Sequence, residues 1–491
     1  MTVAADADST AEDPDPGRAG EPGIGRLAVQ VARRIEADVV RRGWPVGESL
    51  GSEPELRQRH EVSRSVLREA VRLVEHHQVA RMRRGPNGGL FVKAPDAGPA
   101  ARAIVIYLEY VGTTVADLME ARRLLEPVAA VLAAQNLTED GITLVRGAVD
   151  AGSIIDPPEP GSAETLHVVL GRLSANPALQ LFIDVLIRLT TRFAVPVKAS
   201  PRELRQARAE AIRRHADIAD AVIAGNGGKA EARLAAYLDG VSSWMRTNSL
   251  GAAHGRTVPV VGRVRTGEPK AKLAEVVAEQ LREEIAASGW PVGSVLGSET
   301  DLLSRYRISR AVLREAVRLL ECHSVARMRR GPGGGLVVGV PDPQASIDSI
   351  ALYLEFKRVS GADLVAVRDA IELGIVTRVV ERHDQSGITE RLERAVRWIS
   401  EGPDDDQDNA DHFHTVLAEV AGNPVLLLFL RVLTQLWRRH SGTERADTGP
   451  ATRAGVEHVH RRIAEAVLAG DEALARHRMR RHLAVLTEWW H

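Results

Sequence analysis

The feature that most constrains the fold is a long internal repeat. The segment GWPVGESLGSEPELRQRHEVSRSVLREAVRLVEHHQVARMRRGPNGGLFV, which starts at Gly43, realigns without gaps with GWPVGSVLGSETDLLSRYRISRAVLREAVRLLECHSVARMRRGPGGGLVV, which starts at Gly289. Roughly 35 of about 50 positions are identical, and the register continues weakly beyond them. The chain is therefore two copies of one unit of about 230 residues, not a solenoid of short repeats.

Composition limits the kinds of protein that this chain can be. It has 491 residues, of which 44% are hydrophobic, and a formal net charge of −1, so any nucleic-acid-binding surface must be a local patch. A single cysteine, Cys322, excludes an intrachain disulfide framework and fits a reducing compartment. The aliphatic runs are too short to span a bilayer, and the acidic residues 1–22 read as a disordered tail. We expect a cytoplasmic protein with no membrane partner.

The first part of each copy has the pattern of a winged helix-turn-helix domain. In the first copy, a helical pattern over Leu27 to Arg42 precedes a short helix that Ser52 caps, and Ser63 caps the run from Arg64 to His76. Two short strands around a glycine-rich turn follow. The predicted bounds of these winged domains are 23–95 and 269–341.

The second part of each copy, residues 100–250 and 345–491, has long amphipathic stretches without strand alternation. This pattern predicts helical bundles. Residues 251–268 are rich in Gly, Pro and Thr, which predicts a linker. The expected fold class is mainly α with small β wings, built from two winged helix-turn-helix domains and two all-α bundles.

Arginines recur every four residues along the third helix of each winged domain, opposite an apolar face. They are Arg64, Arg68 and Arg72 in the first copy and Arg310, Arg314 and Arg318 in the second. An arginine in the DNA major groove can donate two hydrogen bonds to guanine. Arginine-rich helix faces are often only solvated surfaces. The arginine-rich hairpin that follows, present twice, favours phosphate binding instead.

The segment SEPELRQRHEVSRSVLREAVRLVE resembles the winged-helix signature of GntR-family bacterial transcription regulators, S-E-x-E-L followed by V-S-R-x-x-V-R-E-A-L. The helical second parts resemble the FCD effector domain of the FadR-type subfamily. The DNA-binding residues indicated by this match and by the arginine pattern are Ser63, Arg64, Arg68, Arg72, Arg84, Gly85, Ser309, Arg310, Arg314, Arg318, Arg330 and Gly331. Some members carry a further DNA-contacting arginine where this chain has Pro54 and Thr300, so their operator sequences do not transfer.

The resemblance also implies a metal site in the C-terminal bundle. DHFHTVLAEVAGNP, VHRRIAEAVLAGD and HRMRRHL match the family's histidine-bearing helices, so His414, His460 and His482 correspond to metal ligands for Zn²⁺ or a similar divalent ion. The family's aspartate falls on Ala410, and Asp411 is expected to substitute for it, either as a fourth metal donor or as a residue that supports the ligands. A lone histidine on an apolar face is more often a core residue than a ligand, so the prediction depends on the three together.

The N-terminal bundle keeps only part of this pattern. His167 and His215 persist, the third position is Tyr237, and Glu164 stands where Asp411 does. We therefore expect a metal in the C-terminal bundle alone.

One arginine in each bundle, Arg122 and Arg368, matches an FCD arginine that meets carboxylate effectors. The alternative is an ordinary helix-surface ion pair with Glu126 or Glu372, four residues further on.

These patterns predict a transcription regulator, a repressor rather than an enzyme, in which two winged helices read a near-palindromic double-stranded DNA operator and the bundles sense a small carboxylate effector. Fusion supplies both DNA-reading heads as an intrachain pseudo-dimer. Further homodimerisation is left open. One alternative is a metal-dependent hydrolase with Asp411 as general base, which the two basic modules and the lack of a nucleophile or oxyanion motif disfavour. Another is an architectural DNA-binding protein with degenerate effector domains.

Overall fold

The computed structural model describes residues 22–85, 88–152, 164–193, 199–248, 270–331, 333–401, 409–440 and 450–488. The predicted linker, and all but the last residue of the predicted acidic tail, lie outside these ranges. The chain divides into two compact units, Met1–Pro95 and Asp96–His491.

The first unit is a winged helix-turn-helix domain, the first winged domain. Its helices are α1 (Pro22–Arg41), α2 (Glu53–His60) and α3 (Arg64–His76). Its strands are β1 (Ser49–Gly51), β2 (Ala80–Arg83) and β3 (Gly89–Val92), which form an antiparallel sheet in the order β1-β3-β2.

Local sequence signals explain the ends of α2 and α3. The helix α2 ends at Glu61, whose positive φ of 53° turns the chain, and Ser63 then caps α3 by accepting a hydrogen bond from the Val66 amide at 3.3 Å. The predicted apolar face of α3 is buried: it consists of Val66, Leu67, Ala70, Val71 and Val74. Burial of this face leaves the arginine face of α3 toward solvent.

The second unit contains a helical bundle, a second winged domain and a second bundle. The first bundle consists of α4 (Ala97–Tyr110), α5 (Val115–Gln135), α6 (Glu139–Asp150), α7 (Leu166–Leu173), α8 (Pro177–Arg192), α9 (Pro201–Ile223) and α10 (Gly227–Asn248). The second winged domain consists of α11 (Lys270–Ala287), α12 (Glu299–Tyr306), α13 (Arg310–Cys322), β4 (Ala326–Arg329) and β5 (Gly335–Val338). The second bundle consists of α14 (Pro343–Phe356), α15 (Gly361–Val380), α16 (Ile388–Glu401), α17 (Asn409–Ala421), α18 (Pro424–His440), α19 (Pro450–Leu468) and α20 (Glu472–Glu488). The predicted fold class, mainly α with small β wings, is confirmed.

The two bundles share one hydrophobic core, and equivalent residues meet across it. Phe182 of α8 stacks on Phe429 of α18 with ring centroids 3.9 Å apart. The side-chain amide of Asn176 donates to the Asp363 carbonyl at 2.9 Å, and that of Asn423 donates to the Asp117 carbonyl at 3.1 Å. Because each contact has its counterpart on the other side, the bundles are related by a pseudo-twofold axis.

The second winged domain docks on the first bundle. Ile106 of α4 belongs to the hydrophobic core of that winged domain, and Tyr110 meets Trp290 edge to face at 5.6 Å. Arg282 of α11 is 2% exposed and pairs with Glu109 of α4, and burial lowers the pKa of Arg282 to about 10. Arg192 Nε also lies 2.7 Å from a Glu109 oxygen. Sequence patterns gave no sign of this docking.

Candidate DNA-binding helices and histidine cluster

The arginines of α3 and α13, which we call the arginine helices, have largely exposed side chains. The side chains of Arg64, Arg68 and Arg72 are 61%, 59% and 74% exposed. In the second winged domain those of Arg310 and Arg318 are 74% and 75% exposed, and Arg314 is exposed as well. Exposed guanidinium groups on one face of a helix are free to approach DNA phosphates and base edges.

Both capping serines lie at the start of the arginine helices. Ser63 accepts from the Val66 amide at 3.3 Å, and Ser309 accepts from the Val312 amide at 3.4 Å. These bonds fix the helix ends from which the first arginines project.

An acidic residue in each preceding helix was missed by the sequence analysis. Glu53 Oε1 lies 2.6 Å from Arg64 Nε and 3.9 Å from Arg68 Nε, and Glu299 lies 3.4 Å from Arg310 Nε. Both glutamates belong to the S-E-x-E-L signature, where they read as ordinary first-turn helix residues. Their carboxylates hold the first arginine of each arginine helix in position, so Arg64 and Arg310 already have a charged partner.

The predicted wing residues lie at the tips of the hairpins. Arg84 and Arg330 are exposed. Gly85 and Gly331 have positive φ angles of 117° and 99°, which favour glycine, and a Cβ atom at either position would meet nothing within 4 Å. The hairpin tips therefore have open space into which a nucleic-acid backbone could come.

The three histidines predicted as metal ligands converge inside the second bundle. His414 from α17, His460 from α19 and His482 from α20 are 2%, 0% and 7% exposed. The Nε2 atom of His482 lies 3.1 Å from the Nε2 atoms of both His414 and His460. Among the described residues, these three alone form a group of potential ligand atoms within 4.8 Å of one another.

This donor set fits a divalent metal of the zinc type. Bonds of about 2.0–2.1 Å to one ion place two tetrahedral nitrogen ligands about 3.3 Å apart, close to the observed spacing. Burial lowers the pKa of His482 to about 3 and puts that of His460 well below its usual range, so both imidazoles are neutral near pH 7. Neutral imidazoles have the lone pair that a metal requires.

The other ring nitrogen of His414 is held by a buried carboxylate. Glu372 contacts His414 Nδ1 through one oxygen and accepts from Arg368 Nε at 2.6 Å through the other. Burial alone would raise the pKa of Glu372, but its contacts with His414 and Arg368 outweigh burial and lower this pKa to about 2. A carboxylate of this kind fixes the tautomer of a metal-binding histidine. Sequence reasoning had considered Glu372 only as a partner of Arg368.

Asp411 does not join the three histidines. Its carboxylate lies 3.3 Å from Arg438 Nε and 3.9 Å from Arg368 Nη2. The expectation that Asp411 points at the same place as His414 is therefore not met, because two arginines draw the carboxylate to themselves. Arg368 links Asp411 to Glu372 and also lies over the Trp437 ring at 5.3 Å.

The first bundle has the same framework with a different third group. His167 Nδ1 lies 2.5 Å from Glu126, which also accepts from Arg122 Nε at 2.5 Å. The rings of His215 and Tyr237 are 4.7 Å apart, and His215 Nε2 is buried with no hydrogen-bond partner among the described residues. Burial lowers the pKa of His215 to about 3 and raises that of Tyr237 to about 12, so both are neutral near pH 7.

The two arginines predicted to meet an effector are paired and buried. Arg122 and Arg368 are both 6% exposed and bind the glutamate four residues on. The ion-pair alternative is thus present in both bundles, but it lies in the interior and not on the helix surface. Glu164, the counterpart of Asp411, pairs with Arg172 at 2.8 Å.

Among the residues that the structure describes, we find no helix with the length and apolar character needed to cross a membrane.

Family models match most of the chain. The model described as "Bacterial regulatory proteins, gntR family" matches residues 27–92 and 273–336, and the model described as "FCD domain" matches residues 117–240 and 363–485. These matches occur once in each copy of the internal repeat.

Curated relatives are similar over parts of the chain. The HTH-type transcriptional repressor NanR of Escherichia coli O7:K1 is 26% identical over 189 residues, which are 34% of this chain and 66% of that protein. The uncharacterized HTH-type transcriptional regulator YcbG of Bacillus subtilis is 28% identical over 155 residues, 31% of this chain and 64% of that protein. The chain thus spans slightly less than two thirds of these two relatives. NanR of Escherichia coli K12 is 24% identical over 254 residues, 48% of this chain and 90% of that protein.

Two solved structures are also similar. Streptococcus agalactiae GntR has 23% identity and a TM-score of 0.31, covering 44% of this chain and 99% of its own. A GntR-family regulator from Pseudomonas syringae has 20% identity and a TM-score of 0.21, covering 46% and 88%. On the family matches, the chain belongs to the GntR family of bacterial regulatory proteins and carries two GntR helix-turn-helix domains and two FCD domains in tandem.

Proposed function

We propose that the chain is a cytoplasmic repressor of the FadR type, which reads a near-palindromic operator with two heads of one polypeptide and responds to a small carboxylate effector. The single observation that carries the DNA-reading part is the presence of two exposed arginine helices, each followed by an arginine-glycine hairpin tip. The similar NanR proteins are named transcriptional repressors, which supports repression over activation in this proposal.

In each head, we assign base contacts to the arginines of α3 and α13 and backbone contacts to the hairpin tips. The contacting residues are Ser63, Arg64, Arg68, Arg72, Arg84 and Gly85, and Ser309, Arg310, Arg314, Arg318, Arg330 and Gly331. Two such heads suit two half-sites related by a twofold axis.

For the second bundle, we assign His414, His460 and His482 as the residues that would hold a divalent metal of the zinc type. Such an ion, when bound, would attract and orient a carboxylate group. Glu372 holds the His414 ring, and we assign Arg368, held by Glu372 and Asp411, as a fixed positive charge for an anionic effector. Asp411 acts through Arg368 in this assignment.

For the first bundle, we propose no metal. Tyr237 keeps its proton at neutral pH, so it is a poor ligand, and His167 and His215 alone lack a third donor. Arg122 and Glu126 there serve chiefly to hold the framework.

Selection of bound sequences from a random pool of double-stranded DNA by the full chain tests the proposal. We expect enrichment of a site with two related half-sites in inverted orientation. Enrichment of a single half-site, or no enrichment over random DNA, would contradict the operator assignment.

Release of the selected site by ligand separates the repressor from the architectural alternative. Some small carboxylates, added to the metal-loaded chain on its operator, should lower the affinity of the chain for the operator at least tenfold. Uncharged analogues of the same compounds should leave this affinity unchanged. A chain whose DNA affinity responds to no carboxylate would favour the architectural protein.

A further inference from the structure

The pseudo-twofold interface between the two bundles has lost its symmetry along one pair of helices. The facing residues of α5 and α15, which we call the interface stripe, are four apart on each helix. On α5 they are Glu120, Leu124, Val128 and Leu132, and at the equivalent places on α15 they are Ala366, Ala370, Gly374 and Arg378. The α5 set has one acidic residue and three branched apolar residues, whereas the α15 set has three small residues and one basic residue.

Leu124 fills the space that Gly374 leaves. A Cβ atom added at Gly374 would lie 2.8 Å from Leu124 Cδ2 and closer still to Cδ1, so the two helices approach here only because this glycine has no side chain. Leu124 is partly buried against the shared core. On the other side of the pseudo-twofold axis, the equivalent contact pairs Ala370 with Val128. That pair joins a small residue to one of medium size. Leu124 therefore fits into a recess at Gly374, and no equivalent fit exists on the other side of the pseudo-twofold axis.

The charges of the stripe are also one-sided. Arg378 Nη1 lies 2.6 Å from Glu120 Oε2, and Asn423 donates to the same oxygen at 2.9 Å. Arg378 Nε also donates to the Ala421 carbonyl at 2.7 Å, which fixes the guanidinium. The equivalent pair on the other side of the axis is Leu132 and Ala366, which has no charge at all. Asn176 and Asn423, in contrast, keep matching contacts on both sides.

We propose that this stripe makes the interface heterotypic, so that the first bundle accepts the second bundle as its partner and neither accepts a copy of itself. In a pair of first bundles, Leu124 would meet Val128 in place of Gly374, and Glu120 would face Leu132 without a guanidinium. In a pair of second bundles, Ala370 opposite Gly374 would leave a gap. Arg378 would face Ala366 in place of Glu120 and would keep only the more distant kind of carboxylate contact, with Asp363, the equivalent of the Asp117 that lies 3.6 Å from Arg378 here.

The physical consequence is selective association. Overfilling a packed contact and removing the closer charged partner of a half-buried ion each weaken pairing, so both wrong pairs carry penalties that the right pair lacks. One chain therefore closes its own pseudo-dimer, and two chains can combine only by exchanging halves. This inference deepens the intrachain pseudo-dimer of the proposed function. Its test uses no DNA, so the two can fail separately.

The test begins with the full chain carrying a protease site between Asn248 and Lys270, cleaved after folding. The two fragments differ in mass, so native mass spectrometry after dilution and re-equilibration identifies each pair directly. We expect pairs of one N-terminal and one C-terminal fragment. Homotypic pairs in statistical proportion would overturn the proposal.

Docking of the second winged domain on the first bundle also joins the fragments, so substitutions must separate that contact from the stripe. Gly374→Val should weaken fragment association about tenfold, and adding Leu124→Ala should restore most of it because the recess and the protrusion are exchanged. Gly455→Val, at a helical glycine of the same bundle with open space around it, is the matched control. Equal losses in Gly374→Val and Gly455→Val, or no restoration by Leu124→Ala, would contradict the packing argument.

A charge cycle covers the case in which Gly374→Val does not fold. Arg378→Leu alone leaves Glu120 without its guanidinium and should weaken association about tenfold, while Arg378→Leu with Glu120→Ala should be less weakened than the single change. If the two substitutions act additively, the ion pair does not select the partner.

Discussion

Each arginine on an arginine helix has neighbours that decide how free it is to read DNA. Arg64 is held by Glu53 at 2.6 Å, whereas Arg68 is 3.9 Å from the same carboxylate. Arg314 Nε donates to the Arg310 carbonyl at 3.4 Å, and among the described residues no carboxylate is found paired with it. Arg68 and Arg314 can therefore turn toward a base at lower cost than Arg64, which must first leave an ion pair.

We expect Arg68→Ala or Arg314→Ala to cost about 1–3 kcal/mol at the selected operator and to relax the preference at one base step, because a two-bond contact is lost. Arg41→Ala is the control, since Arg41 is 74% exposed in the same domain but on α1. Binding titrations on the operator and on single-base variants measure both effects. Unchanged specificity in Arg68→Ala would remove that arginine from the base contacts.

The buried glutamates Glu126 and Glu372 allow a matched test of the metal assignment. Glu372→Gln should weaken metal binding about 10–100-fold, because Glu372 holds the His414 ring, and His460→Ala should abolish it. Glu126→Gln and His215→Ala make the same changes in the first bundle and should leave the metal content at about one ion per chain. Elemental analysis measures the metal content per chain, and competition with a chelator measures the metal affinity. Two ions per chain, or loss of metal on changing His215, would reverse the assignment.

A buried histidine makes the first bundle sensitive to acid. Burial lowers the pKa of His215 from 6.5 to about 3. Between these two pH values the unfolded chain therefore binds a proton at His215 and the folded chain does not. This difference in proton binding leaves the free energy of unfolding unchanged above pH 6.5 and lowers it as the pH falls toward 3. His215→Leu should reduce the loss of stability between pH 7 and pH 5 by about 2 kcal/mol.

Hydrogen exchange of the α5 and α9 amides at the two pH values measures this change locally. His458→Leu, at an exposed position of the second bundle, is the control. An equal loss of protection in the native chain and in His215→Leu would show that another group causes the acid sensitivity.

At the scale of elements, helices with a serine cap and an apolar stripe could be predicted from sequence because both signals are local. Ser63 and Ser309 begin their helices as expected. The strand β1 was missed because its three residues are too few to show alternation. The convergence of His414, His460 and His482 came from a family pattern, since no local rule relates three separate helices.

Long-range contacts of particular residues escaped prediction for the same reason. The role of Glu372 toward His414, the turning of Asp411 to Arg438, and the fit of Leu124 at Gly374 all depend on which helices pack together. A duplicated sequence predicts that two bundles exist, but not which of their diverged positions face one another.

The docking of α11 on α4 is an element-scale contact whose buried carboxylate is Glu109. Arg282, which is 2% exposed, pairs with Glu109 and also with the partly exposed Glu279 of its own helix, so Glu109→Gln removes one of its two charged partners at a cost of about 1.5 kcal/mol. We expect amide exchange in α11 to rise roughly tenfold while that in α13 changes less, because the winged domain keeps its own core. Glu275→Gln, at an exposed position of α11, is the control. No change in α11 exchange would mean that Glu109 does not maintain docking.

At the scale of the whole molecule, duplication changes how affinity depends on concentration. Ordinary two-headed binding needs two chains to meet, whereas a fused chain brings the second head to its half-site at a local concentration set by the covalent connection. If the interface stripe prevents homotypic pairing, that connection is the route by which both heads reach one operator.

We therefore expect a full chain with Arg310→Ala and Arg314→Ala to bind the two-half-site operator about as weakly as the native chain binds a single half-site, a loss of roughly 10²–10⁴. Arg64→Ala with Arg68→Ala should cost a similar amount, because the heads are equivalent parts of one reader. The slope of log affinity against log salt concentration should fall in both variants, since a head that no longer docks gives up its phosphate contacts, each of which accounts for about 0.9 of the slope. Titration of the variants at several chain concentrations then separates the two ways of pairing heads. A loss that rising concentration does not repair fits one chain on one operator, whereas recovery with second-order dependence on concentration would mean that two chains supply the heads.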